Sequence, residues 1–121
     1  MSDVMCAACP NCRGHMYEFP KVVCLVGSMR FAEQFTVLNA WETMAGRIVL
    51  APGVDTKTHA VTGEQKAALD SLHLRKIDMA DEILVVNPGG YIGQSTRREI
   101  LYAVRRRKVI RWVVPMDPSL L

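Results

Sequence analysis

The stretch Val22-Val23-Cys24-Leu25-Val26-Gly27-Ser28-Met29-Arg30, residues 22–30, decides how this chain is read. Its apolar run has no polar alternation and stops at Gly-Ser, the pattern of a strand buried on both faces. The run is also far too short to cross a bilayer. Immediately after it, Phe31, Phe35, Leu38, Trp41 and Met44 recur three and four residues apart, so the spacing predicts an amphipathic helix over Phe31–Ala45. Gly46 is placed to end that helix.

Working outward, the same alternation continues. Arg47–Ala51 reads as a second short strand, broken by Pro52-Gly53, and residues 52–62 read as a loop. Thr62 and Gln65 have the spacing of a capping box, which starts a helix near Gly63 and carries it to about Met79. Glu82–Val86 is a third strand, followed by the turn-rich Asn87-Pro88-Gly89-Gly90-Tyr91-Ile92-Gly93. A helix from near Ser95 to about Lys108 and a strand over Val109–Val114 complete the series, and Pro115 ends it. Strands alternating with helices imply an α/β fold: a single-domain, doubly wound Rossmann- or flavodoxin-like parallel sheet of four to five strands, with helices on both faces. In such sheets ligands bind beyond the carboxyl ends of the strands, at the point where strand order reverses. Residues 28–30, 52–62 and 87–94 all fall at that edge.

The chain has 121 residues, 50% hydrophobic and 22% charged, a composition that fits one globular domain. The domain is expected over 21–121, and residues 1–20 read as an irregular, cysteine-rich extension. The start of the chain has polar residues and cysteines where a signal peptide needs an apolar segment. A cytoplasmic location with no membrane partner is therefore expected. The formal charge of +3 is mild, and much of it lies in Arg105-Arg106-Arg107-Lys108. At a helix end such cations complement the dipole. A phosphate- or nucleic-acid-binding patch is the other reading of that run, but no aromatic or groove-entering element accompanies it, and nucleic acid is not the expected partner.

Four groups of residues can carry chemistry. Gly27, Ser28, Met29 and Arg30 form a turn between the first strand and the first helix, where backbone N–H groups and a guanidinium fork suit an anion. The alternative is a turn in which Ser28 caps the helix and Arg30 pairs with a surface acid. Gly93, Ser95, Thr96 and Glu99 follow the glycine-rich approach to the last helix. Glu99 either closes a capping box with Thr96 or faces the pocket mouth, where the helix N-terminus would favour its ionised form. His73 lines up with Leu69, Ile77 and Ala80 on the face of the second helix that meets the sheet. It is either a satisfied core residue or a hydrogen-bond partner and proton donor to a ligand. Asp81, at the end of that helix, reads as structural. Cys6, Cys9, Cys12 and His15 are four soft ligands in a short span, which either hold a structural zinc or are free thiols. Cys24, within the first strand, reads as a buried small hydrophobe.

On these residues the chain resembles the nucleoside 2-deoxyribosyltransferase superfamily, which includes the 2'-deoxynucleoside 5'-phosphate N-hydrolases. The resemblance spans roughly residues 21–114. It lies in Val-Gly-Ser-Met-Arg (26–30), in His73 to Asp81 with the following Glu82-Ile83-Leu84-Val85-Val86, and in Gly93 to Ala103 with Ser95-Thr96 and Glu99-Ile100. It implies cleavage or exchange at the N-glycosidic bond of a (deoxy)nucleoside or nucleoside 5'-monophosphate, with no cofactor. Glu99 would be the nucleophile, His73 would touch the base, and Ser28, Arg30, Ser95 and Thr96 would hold sugar or phosphate. It also implies a homodimer or larger homo-oligomer.

Two further readings compete. Pro88-Gly89-Gly90 with Thr96-x-x-Glu99 resembles the Pro-Gly-Gly-x-Gly-Thr-x-x-Glu of cytokinin-activating phosphoribohydrolases, with extra residues between the halves; the chemistry it implies is again N-glycosidic cleavage. A nucleotide-binding sensor that keeps the pocket but lacks turnover is the non-enzymatic alternative.

Overall fold

The computed structural model describes residues 19–117 and 119, and the Cys6, Cys9, Cys12 and His15 expectation lies outside them. Val22–Gly27 (β1) forms a strand, and a 3-10 turn at Met29–Phe31 leads into a helix over Ala32–Met44 (α1). Ile48–Leu50 (β2), Gly63–Met79 (α2), Glu82–Val86 (β3), Gln94–Arg105 (α3) and Val109–Trp112 (β4) follow, with a second 3-10 turn at Pro88–Gly90. All four strands are parallel, in the order β2-β1-β3-β4.

This order places the chain reversal between β1 and β3. The connection from β1 goes outward to β2, and the next returns across β1 to β3. Right-handed crossovers then put α1 on one face of the sheet and α2 and α3 on the other. The core divides accordingly. Cys24, Val26, Ile83 and Val85 meet Ile77, Ala80, Ile100 and Ala103 on the α2/α3 face. Val23, Leu25, Leu84 and Val86 meet Phe35 on the α1 face. β3 is buried along its whole length: Ile83–Val86 form an unbroken apolar run, and Glu82 at its start is covered by its pair with Arg111.

On α1 the expected apolar stripe is only partly inward. Phe35 is buried and Leu38 packs against the core, but Trp41 is 71% and Met44 87% exposed. Glu42 takes the inward place instead. Its carboxylate meets Arg111 of β4 and Arg47, and Glu82 of β3 joins the same cluster, 2.7 Å from Arg111 Nε. Two arginines on that face thus make an acid the inward residue, which apolar periodicity does not reveal.

The ends of the elements also differ from the sequence-based expectation, for local reasons. The Thr62–Gln65 capping box forms with both bonds, at 3.1 and 2.9 Å, and α2 begins where expected. α3 stops at Arg105, before the expected Lys108, because Arg107 takes a left-handed conformation with φ of 59°. Lys108 N–H then donates to Ala103 O, and Arg107 N–H to Val104 O, both at 3.0 Å, a Schellman end. α1 ends in the same way at Gly46. The expected strand over Val109–Val114 is assigned as β4 only to Trp112, because β3 turns away at Pro88. Asn87 continues the pairing with its side chain, donating to Val114 O and accepting from Val114 N, both at 2.8 Å.

Candidate functional site

At the reversal between β1 and β3 the two chains leave the sheet side by side, and a cavity of about 640 Å³ opens there. Gly27 makes this geometry possible. A Cβ at that position would lie 2.6 Å from Val86 O and 3.2 Å from the Phe35 ring. The 3-10 turn beyond it is capped by Ser28, whose Oγ accepts from Arg30 N at 3.2 Å. Ser28 therefore does cap a helical turn, as one reading of the motif held. Among the described residues Arg30 pairs with no acid; its guanidinium lies over the Tyr91 ring, 3.9 Å from the centroid.

The opposite wall comes from α3. Its N-cap is Gly93, with no side-chain cap, and Thr96 is buried in the first turn. The Thr96–Glu99 capping box does not form. Glu99 is the sixth residue of α3, in its second turn, and its side chain is 15% exposed. The dipole argument for an ionised Glu99 is overturned by this burial, which raises the carboxyl from an ordinary 4.5 to about 7, with Asp70 adding to the effect. The unpaired helix N–H groups lie a turn away, whereas desolvation acts on the carboxyl directly.

His73, on α2, is 7% exposed and lies on the inward stripe with Ile77 and Ala80. Its Nε2 is 3.9 Å from Glu99 Oε2 and 4.0 Å from Cys24 Sγ, while Nδ1 has no hydrogen-bond partner among the described residues. Burial, with help from the Lys76 charge, lowers its pKa to about 4. Between that value and about 7 the imidazole and the carboxyl are both mainly neutral, so this contact is not a charged pair at any pH where the protein is ordinarily handled. Cys24 completes the buried trio. Its thiol is pushed up to about 12, chiefly by burial, which makes it inert as a nucleophile.

The third wall is the segment after β2. Pro52, Gly53, Val54, Thr56 and Lys57 reach the cavity, and Lys76 Nζ holds the start of that segment by donating to Ala51 O at 2.7 Å. An Asx turn at Asp55, accepting from Lys57 N at 2.9 Å, shapes its tip.

The Gly27–Arg30, His73 and Gly93–Glu99 groups therefore border one space: Gly27, Ser28, Met29, Arg30, His73, Gly93, Ser95, Thr96 and Glu99 all line it, whereas Pro88-Gly89-Gly90 of the competing motif and the basic run do not. Sequence reasoning missed Asp70, Lys57, Lys66 and Lys76, which line it as well. Asp70 was discoverable, since it precedes His73 by three positions and so shares its face of α2. It is paired to Lys66, with Nζ–Oδ1 2.8 Å. Arg30 and Lys57 face the cavity with no carboxylate partner among the described residues. The cavity thus combines a partly desolvated carboxyl with cations that favour an anionic ligand.

Elsewhere, Asp81 accepts from Val22 N at 2.8 Å, the structural role expected. Of the basic run, Arg106 stacks on Tyr102 and pairs with Asp78, and Lys108 donates to Asp78 O. No helix among the described residues is long and apolar enough to cross a membrane. No protein-family model matches the chain, and neither does any curated protein or solved structure.

Proposed function

We propose that the protein cleaves or exchanges the N-glycosidic bond of a (deoxy)nucleoside or nucleoside 5'-monophosphate, with Glu99 as nucleophile. The observation that carries this reading is Glu99 itself: a largely buried carboxyl, free of any backbone cap, lining an open cavity at the reversal of the sheet. A carboxylate in that setting can attack an anomeric carbon and hold positive charge developing on the sugar ring. The bond from the anomeric carbon to the base nitrogen breaks as the glycosyl–Glu99 ester forms, and its electron pair leaves with the base. Water or an acceptor base then displaces Glu99 and takes the glycosyl group. Asp70, paired to Lys66, is the second carboxylate at the cavity and would exchange a proton with the base or water. Arg30 and Lys57 would meet a phosphate. A homodimer or larger assembly is part of the same proposal and is tested by sedimentation.

The test is release of free base from a panel of nucleosides and 5'-monophosphates, followed by chromatography. Release that falls at least 10³-fold in Glu99→Ala is the expected result, the order of loss when a covalent nucleophile is removed. Tight binding without release, unchanged in Glu99→Gln, would instead make the protein a sensor.

One observation favours a second reading. A carboxyl with a pKa of about 7 also suits a general acid, with Asp70 as the second carboxyl lining the same cavity. The two readings have opposite pH dependence. If Glu99 is the nucleophile, kcat/KM rises with pH through about 7 as the carboxyl ionises; if it is the acid, kcat/KM falls over the same range.

A further inference from the structure

Arg30 is an unusual arginine for a cavity mouth. Among the described residues no carboxylate stands within ion-pair distance of it, and its guanidinium is placed instead by an aromatic ring. That ring belongs to Tyr91, which is not itself part of the cavity wall. Tyr91 is 40% exposed, and the backbone that carries it is fixed by its neighbours. Gly89 and Gly90, with φ of 65° and 79°, reverse the chain just before it, and Gly90 N donates to Asn87 O at 2.8 Å. Asn87 is fully buried and fixed to Val114 by two hydrogen bonds. Phe31 meets the Tyr91 ring edge-on, with centroids 6.0 Å apart. Arg30 and Phe31 both belong to the 3-10 turn after β1, so one ring on the β3 loop clamps the turn that follows β1.

A guanidinium lying on an aromatic face keeps its N–H edges in the ring plane's direction and gives up little freedom when an oxyanion arrives. We infer that Tyr91 is a positioning residue for anion recognition: its ring holds the Arg30 fork at the cavity mouth, where it selects ligands that carry a phosphate over those that do not. This rests on the proposed nucleotide-processing reading for the ligand class, but Tyr91 touches no reacting atom, and its effect falls on binding rather than on bond cleavage.

The experiment is a double-mutant cycle on the full chain with Tyr91→Ala, Tyr91→Phe, Arg30→Ala and the Tyr91→Ala/Arg30→Ala pair, each checked for folding by its thermal transition. The probes are the four 2'-deoxynucleoside 5'-monophosphates and the matching nucleosides, with Kd from calorimetry and kcat and KM from base release. Tyr91→Ala is expected to weaken the best monophosphate five- to tenfold in Kd and KM, leaving kcat and nucleoside binding unchanged. Tyr91→Phe keeps the ring and should match the parent. The double variant should be no weaker than Arg30→Ala alone, because the ring acts only through the guanidinium. Monophosphate binding with this pattern but without base release would sink the catalytic reading and leave the role of Tyr91 standing. The inference is overturned if the parent binds no monophosphate, if Tyr91→Ala weakens monophosphate and nucleoside alike or neither, or if the two losses add.

Discussion

Glu99 and His73 face each other across less than 4 Å, yet burial moves their pKa values in opposite senses, to about 7 and about 4. The consequence for stability follows from proton linkage. Glu99 keeps its proton in the folded state after the unfolded chain has lost it, so its contribution is present below about 4.5 and is lost as pH rises through about 7. His73 stays neutral when folded while the unfolded chain protonates, so its contribution is present above about 6.5 and is lost as pH falls through about 4. In the parent the two slopes oppose each other over most of that window. Single replacements separate them. Glu99→Gln should leave a stability that climbs from pH 4 to 6.5, whereas His73→Phe should leave one that declines from pH 4.5 to 7. Denaturant melts across that range check both, and parallel pH profiles for the two variants would contradict the placement of these side chains. Neither shift was legible in the sequence. Residue spacing put His73 on the inward face of its helix, but the unpartnered Nδ1 and the desolvation of Glu99 depend on packing between α2 and α3.

Elements were read best where a local chemical signal sets their limits. The Thr62–Gln65 box starts α2, and the apolar run Ile83–Val86, entered through Glu82, gives β3. They were read less well where the end is set by a distant partner or by a residue with no strong preference. Trp41 and Met44 fit the apolar spacing of α1 and are exposed, because Glu42 is drawn inward by Arg111, a residue far along the chain. α3 ends at a left-handed Arg107, a conformation that carries no sequence signature in a non-glycine residue. The comparison with α1, which ends in the same hydrogen-bond pattern at Gly46, gives a direct prediction. Arg107→Gly removes a steric cost and should stabilise the fold by about 1 kcal/mol, read as a higher urea midpoint at unchanged m-value. Arg107→Val should do the reverse. Equal midpoints for the two would show that this helix end is not under steric strain.

At the scale of the molecule, the parallel sheet and its reversal between β1 and β3 bring three separate segments to one edge: the turn after β1, the segment after β2 and the first turns of α3. The parallel sheet and the loops at its carboxyl edge were legible, because alternating strands and helices imply them; the order β2-β1-β3-β4 was not, since the same alternation fits several orders. The lysines were not legible either, since a charged residue on a helix or loop reads as solvated until a cavity is known to open beside it, whereas the place of Asp70 on the His73 face of α2 was there to be read. The central claim is that Glu99 forms a covalent bond with the sugar. Intact mass spectrometry of the protein, mixed with its best substrate and quenched in acid within one turnover, tests it directly. The account predicts an added mass equal to the substrate minus its base, located on the peptide that contains Glu99 and absent from Glu99→Gln. Free base released by the parent in amounts exceeding the enzyme, with the protein mass unchanged at every quench time, would contradict it.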